Sequence, residues 1–207
     1  MEPGQIQIVL FDYGGVLAEE GFTNGLHAIA GQSGLEAETF FHTAAEIMYD
    51  CQYVTGKTDE ATYWELVRQE TGISGSDIEL TGAILDRFIL RREMMQAVEH
   101  IKQAGLRTAI LSDQTDWLYR LEERDHFLHL FNPVLNSYHL GITKRDPEVF
   151  PLAAKLVNAA PGHILFIDDN AGHIDRAASQ GLQTHHFQSA AGFMKFLKKN
   201  LSLEIEP

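Results

Sequence analysis

Apolar residues along this chain follow two rhythms. Ile6–Phe11 (IQIVLF) is nearly continuous in apolar character and stops at Asp12, just before Gly14 and Gly15. Such a run, bounded by a turn signal, predicts a strand buried on both faces that delivers an acid to a turn. Thr108–Leu111, ending at Ser112, and Ile164–Ile167, ending at Asp168 and Asp169, repeat the pattern. Thr184–Phe187 predicts a last strand and Val134–Leu135 a shorter one. Between these runs the spacing is helical. Met94, Met95, Val98 and Ile101 share one face of a helix that stops at Gly105, and Ala171–Gln180 stops likewise at Gly181, glycine being favoured just past a helix end. Asp146 as N-cap and Pro147 as first helical residue predict a further helix carrying Val149, Leu152, Ala153, Leu156 and Val157.

Strands alternating with helices predict an α/β fold, a doubly wound, Rossmann-like parallel sheet. Over residues 16–95 the strand signal disappears. Phe40, Phe41, Ala44, Ala45, Ile47 and Met48 make one helical stripe, Tyr63, Trp64 and Val67 a second, and Ile84, Leu85, Phe88 and Ile89 a third, with Gly56 and Gly72–Gly75 between them. These stripes predict a helical bundle core rather than a cofactor box. The expected organisation is therefore an α/β core from residues 1–15 and 96–207, interrupted by a helical cap at 16–95 that encloses a site over the strand ends.

Composition narrows the partners. The 207 residues carry 16 Lys+Arg against 29 Asp+Glu, a formal charge of −13, and no basic run exceeds a pair. A phosphate backbone would be repelled, which argues against nucleic acid. The single cysteine, Cys51, offers no internal disulfide, MEPGQIQ lacks the basic start and apolar stretch of a secretory signal, and no apolar run approaches the roughly 18–20 residues that cross a bilayer. A cytoplasmic protein with no membrane partner is expected, as a monomer or homodimer.

Ligands of open parallel sheets bind at the carboxyl ends of the strands, where Asp12, Ser112, Asp168 and Asp169 are all expected. Each alone is an ordinary turn former. Three strands placing acids and a hydroxyl on one rim concentrate negative charge, a costly arrangement unless a cation compensates. Oxygen donors favour a hard ion; Mg²⁺ typically takes one or two protein carboxylates and leaves its other positions to water and substrate phosphate. Lys144, on a loop before the Asp146–Pro147 helix start, is placed to neutralise a phosphoryl oxygen or Asp12.

Asp12 in FDYGGVL, Ser112 in ILSDQT, Lys144 in GITKRDPEVF and the acidic pair in FIDDN together resemble the haloacid dehalogenase superfamily, whose members are mostly phosphatases. The likeness covers nearly the whole chain, with the motifs in the required order and an insertion where that superfamily often places its cap. FIDDNAGHIDRAASQGL is similar to the branch that includes sugar-phosphate phosphatases and the phosphatase domain of soluble epoxide hydrolase. The resemblance implies a phosphatase acting on a small phosphorylated metabolite, with Asp12 as the nucleophile forming an aspartyl-phosphate. Ser112 and Lys144 would bind the phosphoryl group and assist catalysis, with Asp113 beside them at the phosphate. Asp12, the Gly14 carbonyl, Asp168 and Asp169 would hold Mg²⁺.

The chain departs from that pattern at several positions. Gly14 stands where most of these phosphatases carry a second Asp, which protonates the leaving oxygen and then activates water; loss of such a group costs roughly 10²–10⁴-fold in rate. Asp113 replaces an Asn, and Arg145 replaces a Pro, either as compensating charge or as a solvated side chain. His173 stands where an Asp or Asn supports the metal, as a partner of Asp169 or as a sign of a different metal. His185 and His186 are expected to face opposite sides of the last strand. Two other functions follow from these departures: a metal-independent 2-haloacid dehalogenase, for which the acidic pair is unexpected, and a degenerate relative that binds without turnover. A phosphoacceptor receiver domain is excluded by chain order, since there the acidic pair precedes the acceptor Asp.

Overall fold

A computed structural model describes residues 6–201 and 203; the segment Met1–Gln5, in which no secretory signal is read, lies outside the described residues. The predicted strands are β1 (Ile8–Phe11), β2 (Arg107–Ser112), β3 (Val134–Asn136), β4 (Ile164–Asp168) and β5 (Gln183–His186). They pair in parallel in the order β3-β2-β1-β4-β5. Chain order reverses direction across the sheet at β1, so the carboxyl end of β1 is the topological switch point at which such sheets bind ligands.

Alternate residues of each strand serve two cores, as the two-residue period of a strand requires. Val9, Phe11, Ile110, Leu165 and Ile167 face one side, packed by α5 (Arg92–Gln103), α6 (Trp117–Asp125) and α10 (Ala190–Leu201). Ile8, Leu10, Ala109, Leu111, Ile164 and Phe166 face the other, covered by α8 (Val149–Leu156) and α9 (Ala171–Ser179). A short α7 (Ser137–Leu140) follows β3.

Four α-helices and a short 3-10 turn (Tyr53–Thr55) lie between β1 and α5: α1 (Gly21–Ser33), α2 (Ala37–Asp50), α3 (Glu60–Thr71) and α4 (Asp77–Leu85). Their buried side chains, among them Phe40, Tyr63, Trp64 and Ile84, are continuous with the core on the Phe11 side of the sheet. The chain enters and leaves this stretch side by side: Ala18 and Leu90 form an antiparallel bridge, flanked by Glu19 N to Ile89 O at 2.9 Å and Arg91 N to Leu17 O at 2.8 Å.

Two sequence expectations change. The third stripe does not run as one helix, because α4 ends at Leu85 and the following amides fold into a turn, Phe88 N donating to Leu85 O; Phe88 is buried while Ile89 is largely exposed. Nor does Asp146 cap a helix at Pro147. Its Oδ1 accepts from Glu148 N within a turn, and α8 starts at Val149.

Candidate active site

The carboxyl end of β1 is anchored by Asp12 N donating to Ile167 O at 2.9 Å, which sets the Asp12 carboxylate on the rim between β2 and β4. Oδ1 accepts from Tyr13 N at 2.7 Å and from Ser112 Oγ at 2.8 Å. The chain then bends through Gly14 and Gly15, the latter at φ +75°. A Cβ on Gly15 would stand 2.1 Å from Asp169 Oδ2. Glycine is required there twice over, for the left-handed backbone and for the space that Asp169 fills.

Lys144 is the buried cation of the site, 1% exposed. Its Nζ lies 2.8 Å from Asp12 Oδ2 and 2.6 Å from Asp168 Oδ2. Its backbone is held from both sides: the amide faces both carboxylate oxygens of Asp113 at 3.0 Å, and the carbonyl accepts from Arg176 Nε at 2.8 Å. Asp113 thus lines the cavity next to Ser112 while fastening the Lys144 loop. Asp168 accepts from Asn170 N at 2.7 Å as well, and its two oxygens lie 3.2 Å from His173 Nδ1. The partner of His173 is therefore Asp168, not Asp169, because the first turn of α9 turns the ring back over the end of β4. His186 reaches the Asp169 carbonyl from the neighbouring strand, while His185 packs inward on Phe193 and Phe196.

Asp12, Asp168 and Asp169 each present one carboxylate oxygen within 4.8 Å of the others. Burial raises the pKa of Asp12 well above the usual carboxylate range, with repulsion from Asp168 and Asp169 adding to it and Lys144 opposing it. Asp169 is raised by burial and by Asp168. Burial also acts on Asp168, but there Lys144 and His173 prevail and hold the carboxyl far below its ordinary value. Burial disfavours the Lys144 ammonium, yet Asp12, Asp168 and Asp113 keep it charged. One ammonium thus serves several acids, and the surplus charge sits on an all-oxygen donor set of the kind a hard divalent cation takes. The residues fit such an ion.

Above this rim lies a cavity of about 370 Å³. Its floor is Asp12, Gly14, Ser112, Lys144 and Asp169, and its upper wall comes from α1 and α2 through Phe22, Phe41, Met48 and Tyr49. Arg145 stacks on Tyr49, its guanidinium carbon 3.4 Å from the ring centroid, and pairs with Glu46 at 3.1 Å. The side chain remains 46% exposed while making these contacts.

Glu20 was not evident from sequence. Its Oε1 accepts from the Thr23 amide at 3.0 Å and hydroxyl at 3.2 Å, capping α1, Oε2 lies against the Gly14 side-chain position, and the residue lines the cavity. Burial raises its pKa. The available signal was a carboxylate three residues before Thr23, but glutamate is not a preferred N-cap and the helix it starts is rich in glycine.

The family model for haloacid dehalogenase-like hydrolases matches residues 6–181, and the chain belongs to this family of hydrolases. It is 34% identical over 95 residues to acyl-CoA dehydrogenase family member 10 of Mus musculus, covering 44% of this chain and 8% of that protein. Bifunctional epoxide hydrolase 2 of Rattus norvegicus is 24% identical over 117 residues, 53% of this chain and 21% of that protein. The chain thus spans only a small part of these relatives. Among solved structures, a haloacid dehalogenase-family enzyme of Bacteroides thetaiotaomicron superposes with a TM-score of 0.73 at 20% identity, over 88% of this chain and 94% of that one. The same enzyme in complex with magnesium and inorganic phosphate gives 0.70 at 19% identity, over 88% and 94%. L-2-haloacid dehalogenase of Xanthobacter autotrophicus, with chloropropionic acid covalently bound, gives 0.66 at 17% identity, over 98% and 85%. No helix among the described residues is long and apolar enough to cross a membrane.

Proposed function

We propose that the protein is a Mg²⁺-dependent phosphatase of the cytoplasm that hydrolyses a small phosphorylated metabolite, a sugar phosphate among the candidates, through an aspartyl-phosphate on Asp12. The observation that carries this reading is the gathering of Asp12, Asp168 and Asp169 within 4.8 Å around a buried lysine. Asp12, Asp168, Asp169 and the Gly14 carbonyl would hold the ion, which when bound offsets charge on the phosphoryl oxygens. The magnesium and phosphate complex of the Bacteroides enzyme supports the same reading.

Asp12 attacks phosphorus from a carboxylate oriented by Tyr13 N and Ser112 Oγ, so that one difficult displacement becomes two. The Ser112 hydroxyl turns from Asp12 to a phosphoryl oxygen, and Lys144 stabilises the charge that develops between nucleophile and phosphate. Residues 16–95 act as the cap over a core of 1–15 and 96–207, with Phe22, Phe41 and Met48 closing the cavity on the leaving-group side.

The second reading is a 2-haloacid dehalogenase, favoured by Gly14 and by the Xanthobacter neighbour. Hydrolysis of p-nitrophenyl phosphate with and without Mg²⁺, beside chloride release from a 2-haloacid without metal, separates the two. Phosphate release that requires Mg²⁺ supports the phosphatase; chloride release alone overturns it in favour of the dehalogenase.

A further inference from the structure

Cleaving a phosphomonoester leaves an alkoxide that must take a proton, and hydrolysing the acyl phosphate requires water to lose one. The residues that orient Asp12 do not supply this. Lys144 is locked between Asp12 and Asp168 and Ser112 is bonded to Asp12, while both oxygens of Asp113 face the Lys144 amide. Gly14, which lines the cavity two residues after Asp12, has no side chain.

The space is filled from elsewhere. A Cβ on Gly14 would lie 3.0 Å from Glu20 Oε2, so the Glu20 carboxyl stands where a side chain from residue 14 would project. Its two oxygens are divided in task. Oε1 is fixed by the Thr23 amide and hydroxyl, which sets the angle of the group, while Oε2 lies against the Gly14 side-chain position, and Glu20 and Gly14 both line the cavity. The capping task occupies Oε1 alone; the second oxygen stands at the Gly14 side-chain position, two residues along the chain from the nucleophile.

We infer that Glu20 is the catalytic proton-transfer residue of this site, an inference that rests on the phosphatase reading. As Asp12 bonds to phosphorus and the bond to the leaving oxygen breaks, the Glu20 carboxyl gives its proton to that oxygen and becomes a carboxylate. In the second half, water adds to phosphorus, the bond to Asp12 breaks, and the proton lost by water returns to Glu20. Phosphate and alcohol leave with Asp12 and Glu20 as they began.

The test is a series of aryl phosphates from 2,4-dinitrophenyl to unsubstituted phenyl, hydrolysed with Mg²⁺ by the wild type and by Glu20→Gln, which keeps the Oε1 acceptor of the cap. The wild-type rate should vary little along the series. Glu20→Gln should lose roughly 10²–10⁴-fold on phenyl phosphate. On dinitrophenyl phosphate, whose leaving group needs no proton, it should show a burst of 2,4-dinitrophenolate and accumulate the phosphorylated chain by mass spectrometry. Glu20→Ala combined with Gly14→Asp should recover part of the lost phenyl phosphate activity. A uniform loss along the series with no phosphorylated chain, or no loss at all, overturns the assignment of Glu20 while leaving the phosphatase reading intact. A wild type that hydrolyses no member of the series removes both.

Discussion

The Nζ of Lys144 lies 2.6 Å from Oδ2 of Asp168, and the two side chains are 1% and 0% exposed. Neither charge reaches water, so each depends on the other. Removing one partner of such a pair leaves an uncompensated buried charge and costs about 3–5 kcal/mol. Lys144→Met is therefore expected to lower urea stability by that amount, and adding Asp168→Asn to it should restore more than half of the loss. If the double variant were no more stable than the single one, the dependence of the two charges on each other would be disproved.

The proposed mechanism gives Asp12 the bond-forming role, and its replacement tests that role. Asp12→Asn keeps an acceptor for Tyr13 N and Ser112 Oγ but loses the charge opposite Lys144, so circular dichroism should be close to wild type and the unfolding midpoint should fall less than in Lys144→Met, since Asp168 still pairs with the ammonium. Hydrolysis of p-nitrophenyl phosphate should fall by at least about 10³-fold, since the covalent route is lost. Retained turnover would place the nucleophile elsewhere.

Repulsion among Asp12, Asp168 and Asp169 opposes the fold until a cation meets it. Mg²⁺ should raise the thermal midpoint, with a stabilisation of about 2.7 kcal/mol when the ion is at a hundred times its dissociation constant, and EDTA should reverse it. Asp169→Asn should abolish most of this shift. A midpoint indifferent to Mg²⁺ in the wild type would contradict the site.

Gly15 and Asp169 occupy one another's space. Gly15→Ala would force a left-handed alanine, at about 1–2 kcal/mol, and drive a methyl group to 2.1 Å from Asp169 Oδ2. We expect a modest fall in stability, with a much larger loss of the Mg²⁺-dependent shift because Asp169 is displaced. Equal loss of both would mean that only the backbone is strained.

His185 packs on Phe196 with ring centroids 4.2 Å apart, and burial, followed by the charge of His186, lowers its pKa below 6.5. Between that lowered value and 6.5 the unfolded chain binds more protons than the folded one. Stability contributed by the neutral ring is thus present above pH 6.5 and lost as pH falls through the folded value. His185→Gln should flatten the decline in urea stability over about pH 5 to 7; parallel wild-type and variant curves would show that His185 plays no part in it.

The strands were legible because their signal is local. A segment buried on both faces must be nearly all apolar, so Val9–Phe11, Ala109–Leu111 and Ile164–Ile167 announce themselves, and parallel order then brings Asp12, Ser112 and Asp168 to one edge. Helix α1 was not legible, because GFTNGLHAIAGQS is weak in intrinsic propensity. It forms through burial of Leu26, Ile29 and Ala30 against the rest of the inserted helices.

What the amino-acid order determined by itself is the alternation of the core, the polar residues at its strand ends, and the oxygen-rich chemistry they imply, since each depends on neighbours within a few positions. Tertiary structure alone decided which acid His173 serves, that Arg145 stacks on Tyr49, and that Glu20 reaches the space beside Gly14. Those pairings join elements whose approach is set by packing of the whole chain, and no periodicity within a segment encodes the distance between two segments.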